Sequence, residues 1–291
     1  MLYSMTGYGR AEQTIADKTF LVEVRSLNGK QFDLRLTLPA LLKPFEFEVR
    51  NLLNEQLERG SVECIIYLKQ NGAGKPVSIN TELAKAYYQP LAQLAKELNI
   101  ETDNILSNLL KLPEVIAPVT DVLNADDYAQ FETILSEAIR QLNQHRTEEG
   151  KVMEQDLVER IRNIEEQQAI VASLEPLRRT RIKEGLVKVL EEHVGKENYD
   201  PNRLEQELIY YIEKIDISEE QVRLTNHCSY FRSLLKGKEK SKGKKLSFIL
   251  QEIGREINTT GSKAYDAQIQ QSVVTMKDEL EKAKEQVLNV L

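Results

Sequence analysis

The sequence predicts an α+β chain: an N-terminal antiparallel sheet with a helix, followed by a mostly α-helical C-terminal region with long helices. Three observations predict it. Apolar and polar residues alternate with period two only in the first quarter of the chain. From Asp126 to about Leu174, Gly150 is nearly the only helix breaker among spaced Leu, Ile and Val. Only 13 glycines and 8 prolines occur among 291 residues, so regular structure dominates.

In chain order, residues 1 to 38 read as strands. Phe20-Leu21-Val22-Glu23-Val24-Arg25 and Phe32-Asp33-Leu34-Arg35-Leu36 have the alternation of half-buried strands. Asn28-Gly29 between them suits a tight hairpin turn. Pro44 opens a helix that runs to about Arg59, since the first helical position needs no amide hydrogen. Gly60 ends it, and Val62 to Leu68 is a strand. The glycine-rich Asn71-Gly72-Ala73-Gly74 reads as a link. A helix follows over Leu83–Leu98, then an ambiguous stretch broken by Pro113 and Pro118. The helix from Asp126 to Leu174 is long for a globular protein and suggests an arm, a coiled coil or an oligomer contact. Pro176 starts another helix, to about His193. Asp200-Pro201 gives an N-cap and N1 proline, and further helices span about 218–236, 245–259 and 267–290. Two domains are expected: 1–75, with 120 as the outer limit of its extension, and 120–291.

Composition narrows the function. Apolar residues make up 41%, enough for a buried core, and net charge is −7. Binding nucleic acid therefore requires a local basic patch, not bulk charge. No apolar run approaches the roughly 18 residues of a membrane span, and the N-terminus does not read as a secretory leader. Cys64 and Cys228 are too few for a disulfide framework or a thiolate zinc site. A cytoplasmic, reduced protein fits. The fingerprints of P-loop nucleotide hydrolysis, dinucleotide binding, zincin proteolysis and hydrolase-fold esterases are absent.

Two helices carry candidate chemistry. On the first, Asp216, Glu220, Arg223 and His227 fall within roughly 60° at 100° per residue, flanking the seam of Ile217, Leu224, Cys228, Phe231 and Leu235. Carboxylates beside a histidine at a core boundary can hold a hard cation or perform acid–base chemistry. They can equally be helix caps and simple i,i+4 pairs such as Glu219–Arg223. On the second, Leu246, Ile249, Leu250, Ile253 and Ile257 form the buried stripe, and Glu252 and Glu256 share another face. Two like charges there call for a compensating cation, an ion or Arg255 or Lys263. Gly254 inside the helix points to close packing or a ligand. Between the two helices, residues 236–245 hold six lysines and read as a mobile basic loop.

The opening Ser4-Met5-Thr6-Gly7-Tyr8-Gly9-Arg10, Glu23-Val24-Arg25-Ser26-Leu27-Asn28 and Arg59-Gly60 resemble the N-terminal domain of the YicC family. Asp216-Ile217-Ser218-Glu219-Glu220-Gln221-Val222-Arg223-Leu224, His227 and Phe231 resemble the same family. So do Lys244-Lys245-Leu246, Phe248, Leu250-Gln251-Glu252, Arg255-Glu256, Asn258-Thr259 and Ser262-Lys263. Ser247 and Gly254 depart from its pattern, where an acid and an asparagine are frequent.

The resemblance implies a divalent-metal-dependent endoribonuclease, using Mn2+ or Mg2+ and assembling as a ring-like homo-oligomer, a hexamer. RNA is the implied partner, with other RNA-decay enzymes as further candidates. It implies Glu219, Glu220, Glu252 and Glu256 as candidate metal ligands. His227, Glu252, Glu256, Arg255 and Lys263 are then the candidate catalytic residues. Arg10, Arg25, Asn28, Lys30, Arg223, Lys244 and Lys245 are the candidate RNA contacts, with Tyr8 and Phe32 as stacking rings. Three alternatives stay open: metal-free cleavage dependent on His227, an RNA-binding adaptor without nuclease activity, and a helical scaffold with no RNA partner.

Overall fold

The computed structural model describes residues 1–29, 31–57, 59–70, 78–98, 104–117, 123–195, 200–237, 239 and 241–291. The glycine-rich link at 71–74 lies outside them. β1 (Gly7–Ile15) and β2 (Lys18–Leu27) form a hairpin, with Ala16 in its turn at φ 52. β3 (Phe32–Thr37), α1 (Glu46–Leu57) and β4 (Gly60–Gln70) follow, with a 3-10 turn at Ala40–Phe45 that contains Pro44. The sheet order is β1-β2-β4-β3.

The expected hairpin at Asn28-Gly29 is not formed. β2 pairs antiparallel with β4, while β3 lies on the far side of β4 and runs parallel to it, so the sheet is mixed. The physical reason is long-range. A Cβ on Gly29 would lie 2.8 Å from the Ser61 amide nitrogen, so the glycine lets the connection pass the start of β4. Asn28 Nδ2 donates to the Leu288 carbonyl at 2.7 Å, and Arg59 Nε donates to the Gly29 carbonyl at 3.1 Å. The Asn-Gly pair is thus held by tertiary contacts, not by a turn.

α4 (Ala125–Val194) has 70 residues, about 105 Å at 1.5 Å per residue. Its N-cap Asn124 accepts from the Asp127 amide at 2.7 Å. The expected break at Pro176 does not occur. Proline removes one amide donor, but the buried Arg178 guanidinium anchors the next turn. It donates to both Glu175 oxygens at 2.7 and 2.8 Å, and to the carbonyls of Ile215, Lys263 and Ala264 at 2.7, 3.2 and 3.3 Å.

One helix serves two cores. The first half of α4 (Phe131, Leu135, Ala138 and Leu142 among others) packs under the sheet with Phe20, Val22, Val62 and Cys64 and with Leu53 of α1. Its second half (Met153, Leu157, Ile161, Ile164) joins α6 (Ser218–Lys236), α7 (Gly243–Lys263) and α8 (Ala267–Val287). Burial pushes the thiols of Cys64 and Cys228 up to about 12, so both are inert apolar fillers. Residues near both chain ends stitch the two cores together: Met5 N donates to the Asn289 carbonyl, and Leu291 N to the Tyr3 carbonyl. α2 (Thr81–Glu97), α3 (Ile105–Leu109) and the small antiparallel ladder of β5 (Ser78–Ile79) with β6 (Ile116–Ala117) form a peripheral unit, and α5 (Pro201–Ile215) follows α4 in sequence. No helix among the described residues is long and apolar enough to cross a membrane.

Candidate functional site

α6 and α7 pack against each other, and Glu220 meets Lys263, which fixes an antiparallel arrangement. Lys263 Nζ donates to Glu220 Oε1 at 2.7 Å and to the Asp216 carbonyl at 3.1 Å. Glu220 is 4% exposed, yet its Oε2 is buried without a partner among the described residues. Thr260 Oγ1, one turn before Lys263, is buried and unpartnered in the same sense. Buried polar atoms without a partner are unfavourable by about 1–3 kcal/mol each, which marks this end of the α6–α7 pair as a polar position.

From the Glu220–Lys263 contact, seven residues along each helix lead to His227 on α6 and Glu256 on α7. The antiparallel register therefore puts them level with each other. Glu256 is 4% exposed and makes no ion pair among the described residues, and Glu252 and His227 are half-buried. On α7, Glu252, Glu256 and Lys263 fall within about 40° of one another, and on α6 Glu220 and His227 within about 20°; the Lys263–Glu220 pair joins the two faces. Arg255 stands exposed beside the α7 face, 100° round the helix from Glu256.

Other expected residues have different settings. Glu219 is exposed and ion-paired with Arg223. Together with the engagement of Glu220 by Lys263, this leaves the expected four-carboxylate ligand set unassembled. No group of three His, Cys, Asp or Glu placed to hold a metal exists among the described residues. A small hard divalent ion can be held by one or two carboxylates, with waters and substrate phosphates completing its shell, so Glu252 and Glu256 are the donors this chain would offer one. Gly254 is explained by packing: a Cβ there would lie 3.0 Å from Leu280 Cδ2 of α8.

In the N-terminal sheet, Arg10 and Arg25 are exposed on the outer face but sit 3.5 and 3.4 Å from Glu12 and Glu23. The Arg25 guanidinium lies 5.6 Å over the Tyr8 ring, its cross-strand partner. Phe32 is half-buried and packs against the sheet core. The Asn28 amide is occupied by Leu288, and Lys30 lies outside the described residues. The lysine-rich segment is not the expected free loop. Lys242 is 2% exposed and donates to the carbonyls of Leu235 and Gly237 at 2.7 and 2.6 Å, tying off the end of α6. Lys245 pairs with Glu239 at 2.6 Å, Lys244 is exposed, and Lys238 and Lys240 lie outside the described residues.

Sequence reasoning missed a neighbouring feature. Lys244, Phe248, Gln251 and Arg255 recur at i, i+4, i+7 and i+11, within about 60° on the exposed face of α7. The signal was an aromatic residue on the polar side of an amphipathic helix, between cations.

Two family models match the chain. The one described as "Endoribonuclease YicC-like, N-terminal region" covers residues 2–155, and "Endoribonuclease YicC-like, C-terminal" covers residues 171–291. The division between them falls within α4, the helix shared by both cores. The chain is 32% identical over 299 residues to the probable endoribonuclease YicC of Clostridioides difficile (strain 630), covering both chains completely. It is 30% identical over 294 residues, again with complete coverage of both chains, to the protein of the same name from Haemophilus influenzae (strain ATCC 51907 / DSM 11121 / KW20 / Rd).

Proposed function

The chain belongs to the YicC-like endoribonuclease family, and from that premise we propose that it cleaves RNA internally at the seam between α6 and α7. The observation that carries the site assignment is the ion pair between half-buried Lys263 and buried Glu220, whose Oε2 is left without a partner among the described residues, two turns of α6 from His227.

Phosphodiester cleavage needs a nucleophile that loses a proton, a leaving oxygen that gains one, and positive charge at the phosphate oxygens. Imidazole exchanges protons near neutrality, which suits His227 to one of the transfers. Lys263 supplies the charge. Its ammonium is aimed by Glu220 Oε1 and by the Asp216 carbonyl, so it does not have to be ordered at the moment of reaction. Arg255 adds a second cation at the rim. Glu256, the carboxylate nearer to Lys263 along α7, is the one available to accept the proton of an attacking hydroxyl, and Glu252 lies one turn further from Lys263.

Dependence on Mn2+ or Mg2+ belongs to the same proposal as a property to be measured, and no step above is routed through an ion. So does assembly into a ring-like hexamer. Ile209 and Tyr210 of α5 are 52% and 64% exposed, apolar surface of the kind that subunit contacts cover. A monomer mass in solution would remove that part.

The test is cleavage of an end-labelled RNA hairpin by highly purified protein with Mn2+, Mg2+ or EDTA. Lys263→Gln and Glu252→Gln serve as contamination controls. Wild type should cleave in the presence of metal, and folded Lys263→Gln should lose about 100-fold or more, as expected for an electrostatic donor. Wild-type activity in Lys263→Gln would move the active site elsewhere. Salt-sensitive binding without cleavage under every condition would establish the adaptor alternative instead.

A further inference from the structure

On the helix that carries Glu252, Glu256 and Lys263, a cleft of about 310 Å³ lies between the N-terminal sheet unit and α7. Arg59 stands on one wall. Lys244, Ser247, Phe248 and Gln251 stand on the other, and Leu288 lines it too. That volume is at the small end of ligand pockets, which run from about 300 to 1,000 Å³. The Arg59 wall is fixed in place: Arg59 Nε is bound to the Gly29 carbonyl, and Asn28 is bound to Leu288.

The chemistry of the lining is unusual for a chain of net charge −7. Two cations frame it, Gln251 and Ser247 offer donors and acceptors, and the Phe248 ring is 58% exposed. The next residue on this stripe of α7 is another cation, Arg255, and Lys244 and Arg255 make no ion pair among the described residues. An exposed ring flanked by unneutralised cations is the arrangement that stacks a base while holding its phosphate. Paired bases are already stacked inside a duplex, so the ring selects an unpaired nucleotide. The position fits as well. Phe248 precedes Glu252 by four residues, about 6 Å of helix rise.

We propose that this cleft is a subsite for one unpaired nucleotide of the RNA strand that is cut at the seam. Its base stacks on Phe248, its edge meets Gln251 and Ser247, and its phosphate lies between Lys244 and Arg59. The inference rests on the endoribonuclease reading, because it takes the α6–α7 seam as the place of cleavage.

The test is binding and fluorescence of an RNA hairpin carrying 2-aminopurine in its loop, with a blunt RNA duplex as the comparison. Wild type should quench the probe on binding. Phe248→Ala should abolish the quench and weaken hairpin binding about tenfold or more, leaving duplex binding unchanged. Phe248→Tyr keeps a stacking face and should retain both signals. Lys244→Ala should lower the salt dependence of hairpin binding by roughly 0.7 in log–log slope, one phosphate's worth on a single strand. If Phe248→Ala binds and quenches like wild type while Lys263→Gln has lost cleavage, the subsite is refuted and the nuclease site stands. If wild type neither binds nor cleaves the hairpin, both are refuted together.

Discussion

Replacing Arg178 with methionine should destabilise the protein by about 3–5 kcal/mol. The magnitude follows from what the guanidinium does. The last carbonyls of a helix have no partners within it, and Arg178 serves two such ends together. It donates to Ile215 at the end of α5, and to Lys263 and Ala264 at the end of α7. A hydrogen bond from a charged donor contributes about 1.5–3 kcal/mol, and three sharing one group do not add fully. Methionine conserves the apolar stem but none of the donors. At this chain length each kcal/mol shifts the melting temperature by about 2 °C, so melting should fall by roughly 6–10 °C. Arg178→Lys tests the geometry, since an ammonium keeps the charge but loses the planar fork. It should recover less than half of the loss. Thermal melts followed by circular dichroism give all three values. A methionine variant melting within about 1 °C of wild type, or a lysine variant indistinguishable from it, would refute the capping role.

Two further perturbations test the helical core. Burial pushes the Glu279 carboxyl up, but hydrogen bonds from Lys282, Asn163 and Arg160 prevail and hold it at about 2, below its ordinary 4.5. The folded state therefore gains stability that is fully present above pH 4.5 and is lost as pH falls toward 2. The unscreened figure is about 3 kcal/mol, and solvent at the edge of the helix pair trims it to about 1–2. The stability gap between wild type and Glu279→Gln, measured by urea unfolding, should narrow from pH 5 to pH 2.5; a constant gap would contradict the assignment. Lys242→Met, which strips the donors from the Leu235 and Gly237 carbonyls, should lower stability by about 2–3 kcal/mol. The exposed Lys244→Met should change it by less than about 0.5. Equal effects in urea titrations would restore the picture of a free basic loop.

Local rules recovered much of the fold because the deciding interactions were themselves local. Alternation located β2 and β3, and Asn124 and Asp200 stand as N-caps just ahead of α4 and α5. Local rules failed where a distant residue decides. Asn28-Gly29 has the composition of a hairpin turn, but Gly29 answers to the backbone of Ser61. Pro176 has the composition of a helix start, but Arg178 fastens the helix on its far side to α5 and α7. The candidate site shows the same division. Periodicity put Glu252 and Glu256 on one face of α7 correctly. It did not reveal that Lys263 crosses to Glu220, since pairing between helices leaves no mark in the spacing of either. Phe248 escaped because the apolar stripe was traced through its neighbours Ile249 and Leu250.

The distribution of charge favours α7 over the sheet as the place where RNA lies. On the outer sheet face, Arg10 and Arg25 stand within 3.5 Å of Glu12 and Glu23, and the register sets Arg35 opposite Glu63. Such exposed pairs contribute little to stability, but their charges cancel within a Debye length of about 8–10 Å. A phosphate approaching that face meets no net field. On α7, Lys244 and Arg255 carry no ion pair among the described residues, and Arg59 stands across the cleft, whereas Lys263 is paired with Glu220; three unpaired cations follow one path. If each meets one phosphate of a single strand, the log–log salt slope is about −2, and doubling the salt weakens binding about fourfold. A slope near zero would show that phosphates do not follow this path. One much steeper would mean that each RNA engages cations beyond these three, on this chain or on a second copy.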